Sequence, residues 1–329
     1  MNENSNNSQG HPDYKELLKR HPKNPILSPE DWPYPVNSVF NPGAIRLRDS
    51  ELILLLARAE DRTGISHLCS AISVDGVSNW KIDTSPTLFP DRDRRPEELW
   101  GIEDPRISWI PELDRYAVTY TSFSGGGPGV SLALTSDFKT FDHYGMILSP
   151  EDKDAALFPK LFGGHWAIIH RPVPASGSAH IWISFSPDLR HWGSHQILLP
   201  ARHGAWWDAR KIGLSTPPIE TSEGWLILYH GVRVTASGSL YRVGLALLDL
   251  ENPVQVIYRS SEWIFGPFSP WERIGDVGDV VFPTGFVVGD DGDTLQIYYG
   301  AADTKICMAT ASINELLSWL KQNNYLGTT

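Results

Sequence analysis

From about residue 37 to residue 311 the chain repeats one pattern: a short apolar run, a turn, and another short apolar run. ELILLLARAE, YAVTYTSFS, VSLALTS, HWAIIHRP, HIWISFSP, GWLILYHG, YRVGLALLDL, TLQIYYGAAD and KICMATA are rich in β-branched and aromatic residues, and Gly, Pro, Asp or Asn bounds each. These are strands, and 28 Gly and 25 Pro supply the turns between them. A weak repeat runs through the pattern. SVDGVSNW (73–80), TSDFKTFD (135–142) and SPDLRHWG (186–193) each end a strand in Ser or Thr, place an Asp just beyond, and then an aromatic; LLDLENPVQVIY (247–258) is a more distant copy. The aspartates at 75, 137, 188 and 249 are 62, 51 and 61 residues apart. Four strands with their turns fill that interval, and radial repetition of four-stranded units makes a β-propeller. Dividing the β region by the interval gives about five blades. The alternative is a two-sheet β-sandwich in which the Ser-Asp turns coincide by chance. In a propeller, loops from every blade meet at one funnel, so site residues are expected to be scattered along the chain.

The ends read differently. Residues 1–12 are polar, 13–20 (DYKELLKR) is expected to form a short helix, and HPKNPILSPEDWPYP is a proline-rich approach. At the other end 312–324 has helical periodicity, with Ser312 as N-cap, then Glu315, and Leu316, Leu317 and Leu320 on one face. The expected division is a tail with a short helix over 1–30, an all-β five-bladed propeller over 31–311, and a C-terminal helix and tail over 312–329. The opening residues lack the basic and apolar regions of a signal peptide. No apolar run approaches the roughly 18 residues a membrane span needs. Cys69 and Cys307 read as buried thiols in a reducing compartment. A cytoplasmic protein is expected, with no membrane partner. A net charge of −11 argues against a nucleic-acid partner, which would require a basic face, but leaves room for a small anion pocket. The N-terminal tail and the 312–324 helix are the candidate contacts for a homo-oligomer.

The stretch WGIEDPRISWI (100–110) interrupts an apolar run with two adjacent carboxylates, a proline and an arginine. Either Asp104 opens a structural turn before Pro105 and pairs with Arg106, or it is a catalytic acid tuned by a pocket. The expectation is that a strand ends here at the funnel mouth, with Arg106 pairing Glu103 or another acid and leaving Asp104 free. A second charged cluster, Arg58, Glu60, Asp61 and Arg62, follows an apolar strand. Basic residues stand beside aromatic strands at His170-Arg171, Arg210-Lys211, and His230 with Arg233. Singly these are ordinary strand ends; converging from several blades they would make an anion site. The histidines show no zinc-type spacing, so no metal is expected. Trp206 and Trp207 are adjacent and cannot both enter one sheet face, so one is either loop packing or a platform for a sugar ring.

Eleven motifs in order resemble glycoside hydrolase family 130, the β-mannoside phosphorylase family: FNPGAIR, LLARAEDRTGISHL, GIEDPRI, KDAALFPKL, HRP, SPDLRHWG, RKIGLSTPPIET, GWLILYHGVR, GLALLDLENP, VVFPTG and YYGAAD. They cover the whole β region, and the family fold is a five-bladed β-propeller. The resemblance implies that Asp104 is the general acid, donating its proton to the glycosidic oxygen through the mannosyl 3-hydroxyl. It implies that Asn41, Arg58 and Asp303 hold the mannosyl unit, with Glu60 and Glu103 beside them, and that Tyr241 and Phe282 line the substrate subsites. Arg62, Lys211 and His230 match the phosphate-binding set. Where some family phosphorylases carry Arg-Asn, this chain has Lys153-Asp154; lysine binds phosphate as a point charge, and the aspartate opposes an anion.

The implied activity is inverting phosphorolysis of a β-mannoside to α-mannose 1-phosphate, with inorganic phosphate as co-substrate and no cofactor. The alternatives are a β-mannosidase, in which Glu60, Glu103 or Asp154 serves as base, and a non-catalytic carbohydrate-binding propeller.

Overall fold

Runs such as ILLLARAE carry apolar residues at nearly every position, where a strand with one wet face would alternate. The reason is that the sheets are buried on both faces. Leu54 and Leu56 face one neighbouring sheet, in a cluster with Ile107, Val118 and Tyr120. Ile53, Leu55 and Ala57 face the other, with Tyr298, Ile306 and Met308. The same holds around the ring, where five apolar clusters fill the five spaces between neighbouring sheets.

The computed structural model describes residues 16–236 and 238–326. Its strands form five antiparallel sheets, the blades of a propeller. Blade one contains Ser38–Arg46, Ile53–Glu60, Ser66–Ser73 and Lys81–Ile82. Blade two contains Ile102–Ile110, Arg115–Ser124, Gly127–Thr135 and Asp142–Leu148. Blade three contains Asp152–Phe162, His165–Pro172, Ile181–Ser186 and Gly193–Leu199. Blade four contains Lys211–Leu214, Gly224–Thr235, Gly238–Leu248 and Val256–Arg259, with Ile219–Thr221 added at one end. Blade five is Val281–Val288, Thr294–Ala301 and Lys305–Ser312, and its outer strand is Lys19–Arg20 from the opposite end of the chain.

The aspartate repeat is a turn device. Asp75, Asp137, Asp188 and Asp249 each accept backbone N–H groups two and three residues on, and all four lie between the third and fourth strands of their blades. In blade five the corresponding strand ends at Ser312, whose hydroxyl instead accepts from the Glu315 N–H and caps the helix Ile313–Gln322. That helix is the expected one. Its Ile313, Leu316, Leu317 and Leu320 pack into the core between blades four and five, so this apolar face is already covered by the chain itself.

Among the described residues the helix expected over 13–20 is not formed. Residues 1–15, including the polar tail, lie outside the described residues, and 16–20 contain the strand Lys19–Arg20 and no helix. Edge pairing and burial of Leu17 and Leu18 override a helical sequence pattern. Cys69 and Cys307 are free and buried. No helix among the described residues is long and apolar enough to cross a membrane.

The ring is pinned where its two ends meet. Arg20 donates to Glu272 Oε1 at 2.8 Å and Oε2 at 3.0 Å. The Glu272 side chain is wholly buried and also accepts from the Tyr299 hydroxyl and the Phe268 and Ser269 N–H groups. Removing the cation leaves a buried carboxylate without its charge partner. Arg20→Ala is expected to lower unfolding free energy in a urea titration by about 3 kcal/mol. A loss below about 1 kcal/mol, the range of a surface pair, would mean that this contact does not hold the ring shut.

Candidate active site

One backbone device occurs at the axis in three consecutive blades. The first strands of blades one, two and three each carry a β-bulge: Asn41-Pro42, Asp104-Pro105 and Asp154-Ala155 each place two residues opposite one. Asn41, Asp104 and Asp154 take left-handed φ values of 44°, 49° and 54°, which Asn and Asp tolerate better than other side chains. All three line one small cavity at the axis, with a volume of about 150 Å³. The strand therefore does not end at Glu103-Asp104, as the sequence led us to expect. It runs through them as Ile102–Ile110 and bulges there.

One side of the cavity is acidic. Asp104 Oδ1 accepts from Asn41 Nδ2 at 2.9 Å and from Arg58 Nη1 at 3.2 Å. Oδ2 has no hydrogen-bond partner among the described residues. Arg58 also reaches Glu103 Oε1 and Glu60 Oε2, each at 3.2 Å, donates to Ser66 Oγ, and lies 4.5 Å from the Phe40 ring centre. One guanidinium thus serves three carboxylates. Burial raises the Glu103 carboxyl above its ordinary value. Burial, and then the neighbouring Asp104 charge, push Asp303 up to about 7.

The other side is basic and comes from blades three and four. Lys153 and Lys211 line the cavity, and neither ammonium has a hydrogen-bond or ion-pair partner among the described residues. Arg171 stands beside them and binds Asp154 Oδ2 through Nε at 2.8 Å and Nη2 at 2.7 Å. Arg106 is fully buried. It donates to the carbonyls of Ser215, Leu214 and Asp104, and its Nη2 lies 3.6 Å from Asp154 Oδ1. Despite its burial, Asp154 is held well below the ordinary carboxylate range by the charges of Arg171 and Arg106. His230 is depressed to about 3 by burial and is neutral at pH 7; its ring packs 4.7 Å from that of Phe282. A Cβ on Gly213 would collide with both Asp154 and His230, so only glycine fits behind this wall.

The cavity is bordered by Asn41, Arg58, Glu103, Asp104, Lys153, Lys211, His230, Tyr241, Phe282 and Asp303, all of them sequence candidates. Glu60 sits one step behind, against Arg58. Arg62 does not belong to the wall. The strand stops at Glu60, and a turn in which Asp61 accepts from Thr63 and Ile65 N–H leaves Arg62 exposed. The nearby cation is Arg171, one of the strand-end basic residues expected to form an anion site if the blades brought them together, though the motif resemblance gave it no role. The pairing around Asp104 also differs from expectation: Arg58 holds both Glu103 and Asp104, while Arg106 serves Asp154. The signal that would have found the third bulge is the recurrence of Asx before Pro or Ala in FNPGA, EDPRI and KDAAL.

The five-bladed propeller thus gathers at its axis one partly free carboxylate, Asp104, and two ammonium groups without ion-pair partners among the described residues, Lys153 and Lys211, an arrangement suited to an acid and an anion acting on one substrate. Comparison with known proteins narrows this. The family model described as β-1,4-mannooligosaccharide phosphorylase matches residues 17–322, and the chain belongs to glycoside hydrolase family 130. It is similar to a β-1,4-mannooligosaccharide phosphorylase of Ruminococcus albus, with 34% identity over 95% of this chain and 93% of that protein. The solved β-1,2-mannobiose phosphorylase of Listeria innocua, in complex with β-1,2-mannobiose, has a TM-score of 0.83 at 32% identity and covers 93% of this chain and 99% of its own. A structure from work on GH130 glycoside hydrolases that target β-1,2 mannosidic linkages in Candida mannan has a TM-score of 0.79 at 27% identity, covering 93% and 96%.

The raised Asp303 predicts a pH dependence. The folded state binds this proton more tightly than the unfolded chain, whose carboxyl titrates near 3.8. The group's contribution to stability is therefore complete below about 4 and is lost as pH rises through about 7. Asp303→Asn is expected to remove that component, so the difference in unfolding free energy between variant and parent should change between pH 4 and 7 and level off above. A difference that stays constant across this window would refute the assignment.

Proposed function

We propose that the chain cleaves β-mannosides with inorganic phosphate, inverting the anomeric centre to give α-mannose 1-phosphate and a shortened acceptor. The observation that carries this reading is the pair of unpartnered ammonium groups, Lys153 and Lys211, beside Arg171 on the wall opposite Asp104. Phosphate is a nucleophile at neutral pH and needs no base, but it needs cations to offset its charge and align it behind C1.

Asn41 and Arg58 fix Asp104 through Oδ1, leaving Oδ2 to deliver a proton to the glycosidic oxygen, by way of the mannosyl 3-hydroxyl as the family resemblance implies. The C1–O bond to the acceptor breaks while a phosphate oxygen bonds C1 from the other face. Asp104 is left as a carboxylate and regains its proton from solvent or from the mannose 1-phosphate monoanion. Arg58, Asn41 and Asp303 hold the mannosyl unit, and His230 contributes a neutral ring rather than a charge. A charged product is retained by a membrane, which agrees with a cytoplasmic place of work.

Hydrolysis is the second reading, and the Lys153-Asp154 pair is what favours it. An inverting hydrolase needs a second carboxylate about 6.5–9.5 Å from the acid to activate water. Asp154 is the carboxylate on the correct side, but Arg171 and Arg106 already neutralise it, and its lowered proton affinity makes it a weak base. Glu103 adjoins the acid itself and is bound to Arg58.

Incubation with β-1,2- and β-1,4-mannobiose, with and without phosphate, tests the choice. Phosphate-dependent mannose 1-phosphate is expected; equal release of free mannose in both tubes would replace the proposal with the hydrolase. Asp104→Asn should lower kcat by about one hundred- to ten thousand-fold. Lys211→Ala should raise the phosphate KM by about tenfold or more while leaving the mannoside KM within about twofold.

A further inference from the structure

Blade four carries a groove that the catalytic cavity does not use. The hairpin formed by Gly224–Thr235 and Gly238–Leu248 has two faces. Tyr241 looks into the catalytic cavity, whereas Arg233, Leu240 and Arg242 line a separate groove of about 480 Å³ on the other face. Its remaining wall comes from the 203–207 loop and from Glu262 and Trp263. We propose that this groove is a second, non-catalytic binding site for a neutral oligosaccharide of the β-mannoside class. The identity of the sugar rests on the function proposed above.

The side chains are held ready. Trp206 lines this groove and also the neighbouring one, where it stacks on Tyr325 at 5.2 Å with an interplanar angle of 21° and lies under the Arg202 guanidinium at 4.4 Å. Tyr325 and Arg202 thus brace the Trp206 indole. The Arg242 guanidinium lies 4.5 Å from the centre of the Trp263 ring, in space that a side chain on Gly266 would fill. Arg233 donates to the Ala205 carbonyl, tying the hairpin to the loop. Glu262 is exposed at the rim and has no hydrogen-bond partner among the described residues.

Indole faces match the C–H face of a pyranose, and guanidinium and carboxylate groups around them match its hydroxyls. Both guanidinium groups are already engaged, and a free carboxylate stands beside them, so an anion is poorly served and a polyol is well served. Rings braced before the ligand arrives lose little freedom on binding.

The test is calorimetric titration of a β-1,4-linked mannohexaose, and in parallel a β-1,2-linked one, into the full chain carrying Asp104→Asn, which prevents turnover. Two sites per chain are expected with at least one of the sugars. Adding Trp206→Ala should remove one site or weaken it by about tenfold, with mannobiose phosphorolysis by Trp206→Ala alone unchanged within about twofold. Glu262→Ala is the second variant, because it leaves the Tyr325 stack intact; it should weaken the same site about threefold. One site per chain with both sugars, or two sites indifferent to both substitutions, would overturn the proposal. A wild-type chain that degrades no mannoside while the groove variants still alter binding would remove the proposed function and leave the groove standing.

Discussion

The structure depends on every blade being covered on both faces. A four-stranded sheet with apolar residues pointing both ways cannot stand alone in water, and stacking such sheets in a row leaves two open ends. Closing the row into a ring removes the ends. Five clusters of buried residues, one in each space between blades, complete that closure. The chain must then join its own ends, and it does so with two residues, Lys19 and Arg20, laid along the outer edge of blade five. The Arg20–Glu272 pair locates that join, because a buried carboxylate accepts only the arrangement that satisfies it. Closure also brings the first strands of all five blades side by side, which is the condition for a site at the axis.

At the axis, the backbone device is repeated and the side chain is varied. Blades one, two and three share a bulge with an Asx in left-handed conformation, yet Asn41 donates to its neighbour, Asp104 keeps one carboxylate oxygen without a partner among the described residues, and Asp154 balances buried arginines. Blade four has no such bulge and contributes Lys211, with Gly213 making room for Asp154 and His230. Blade five contributes Phe282 and Asp303 from two different strand ends. A fold with internal repetition thus presents non-equivalent groups to one point.

Much of this was legible in the residues. Strand-length apolar runs and the Asp75, Asp137, Asp188 and Asp249 turns give the blade count, since each Asp closes the same turn in its own blade. Most cavity residues were found by motif resemblance. What was not legible depends on contacts between segments distant in sequence. DYKELLKR has the pattern of a helix, but its end is needed as an edge strand by residues almost three hundred positions away. Arg106 is two residues from Asp104 and was expected to serve the acids beside it; in a bulged strand it points across the axis to Ser215 and Asp154 instead. Arg62 lies two residues beyond Glu60, but the intervening strand end turns it to solvent.

The charge layout explains how cations can face a cavity without collapsing onto the acids opposite. Arg58 is committed to Glu60, Glu103 and Asp104, and Asp154 to Arg106 and Arg171, so each wall satisfies its own buried charges. What remains over differs on the two sides: on one, carboxyl groups whose proton affinity is raised, Glu103 by burial and Asp303 up to about 7, and on the other the ammonium groups of Lys153 and Lys211. In the proposed reaction the acidic side would serve the leaving group and the cationic side would hold the phosphate dianion in line with it. Were Asp154 unpaired, it would cancel one lysine and the site would suit water as well as phosphate. The two arginines that bind it are therefore what makes Lys153-Asp154 compatible with an anion, and the aspartate is the reason two buried guanidinium groups can stand so close together.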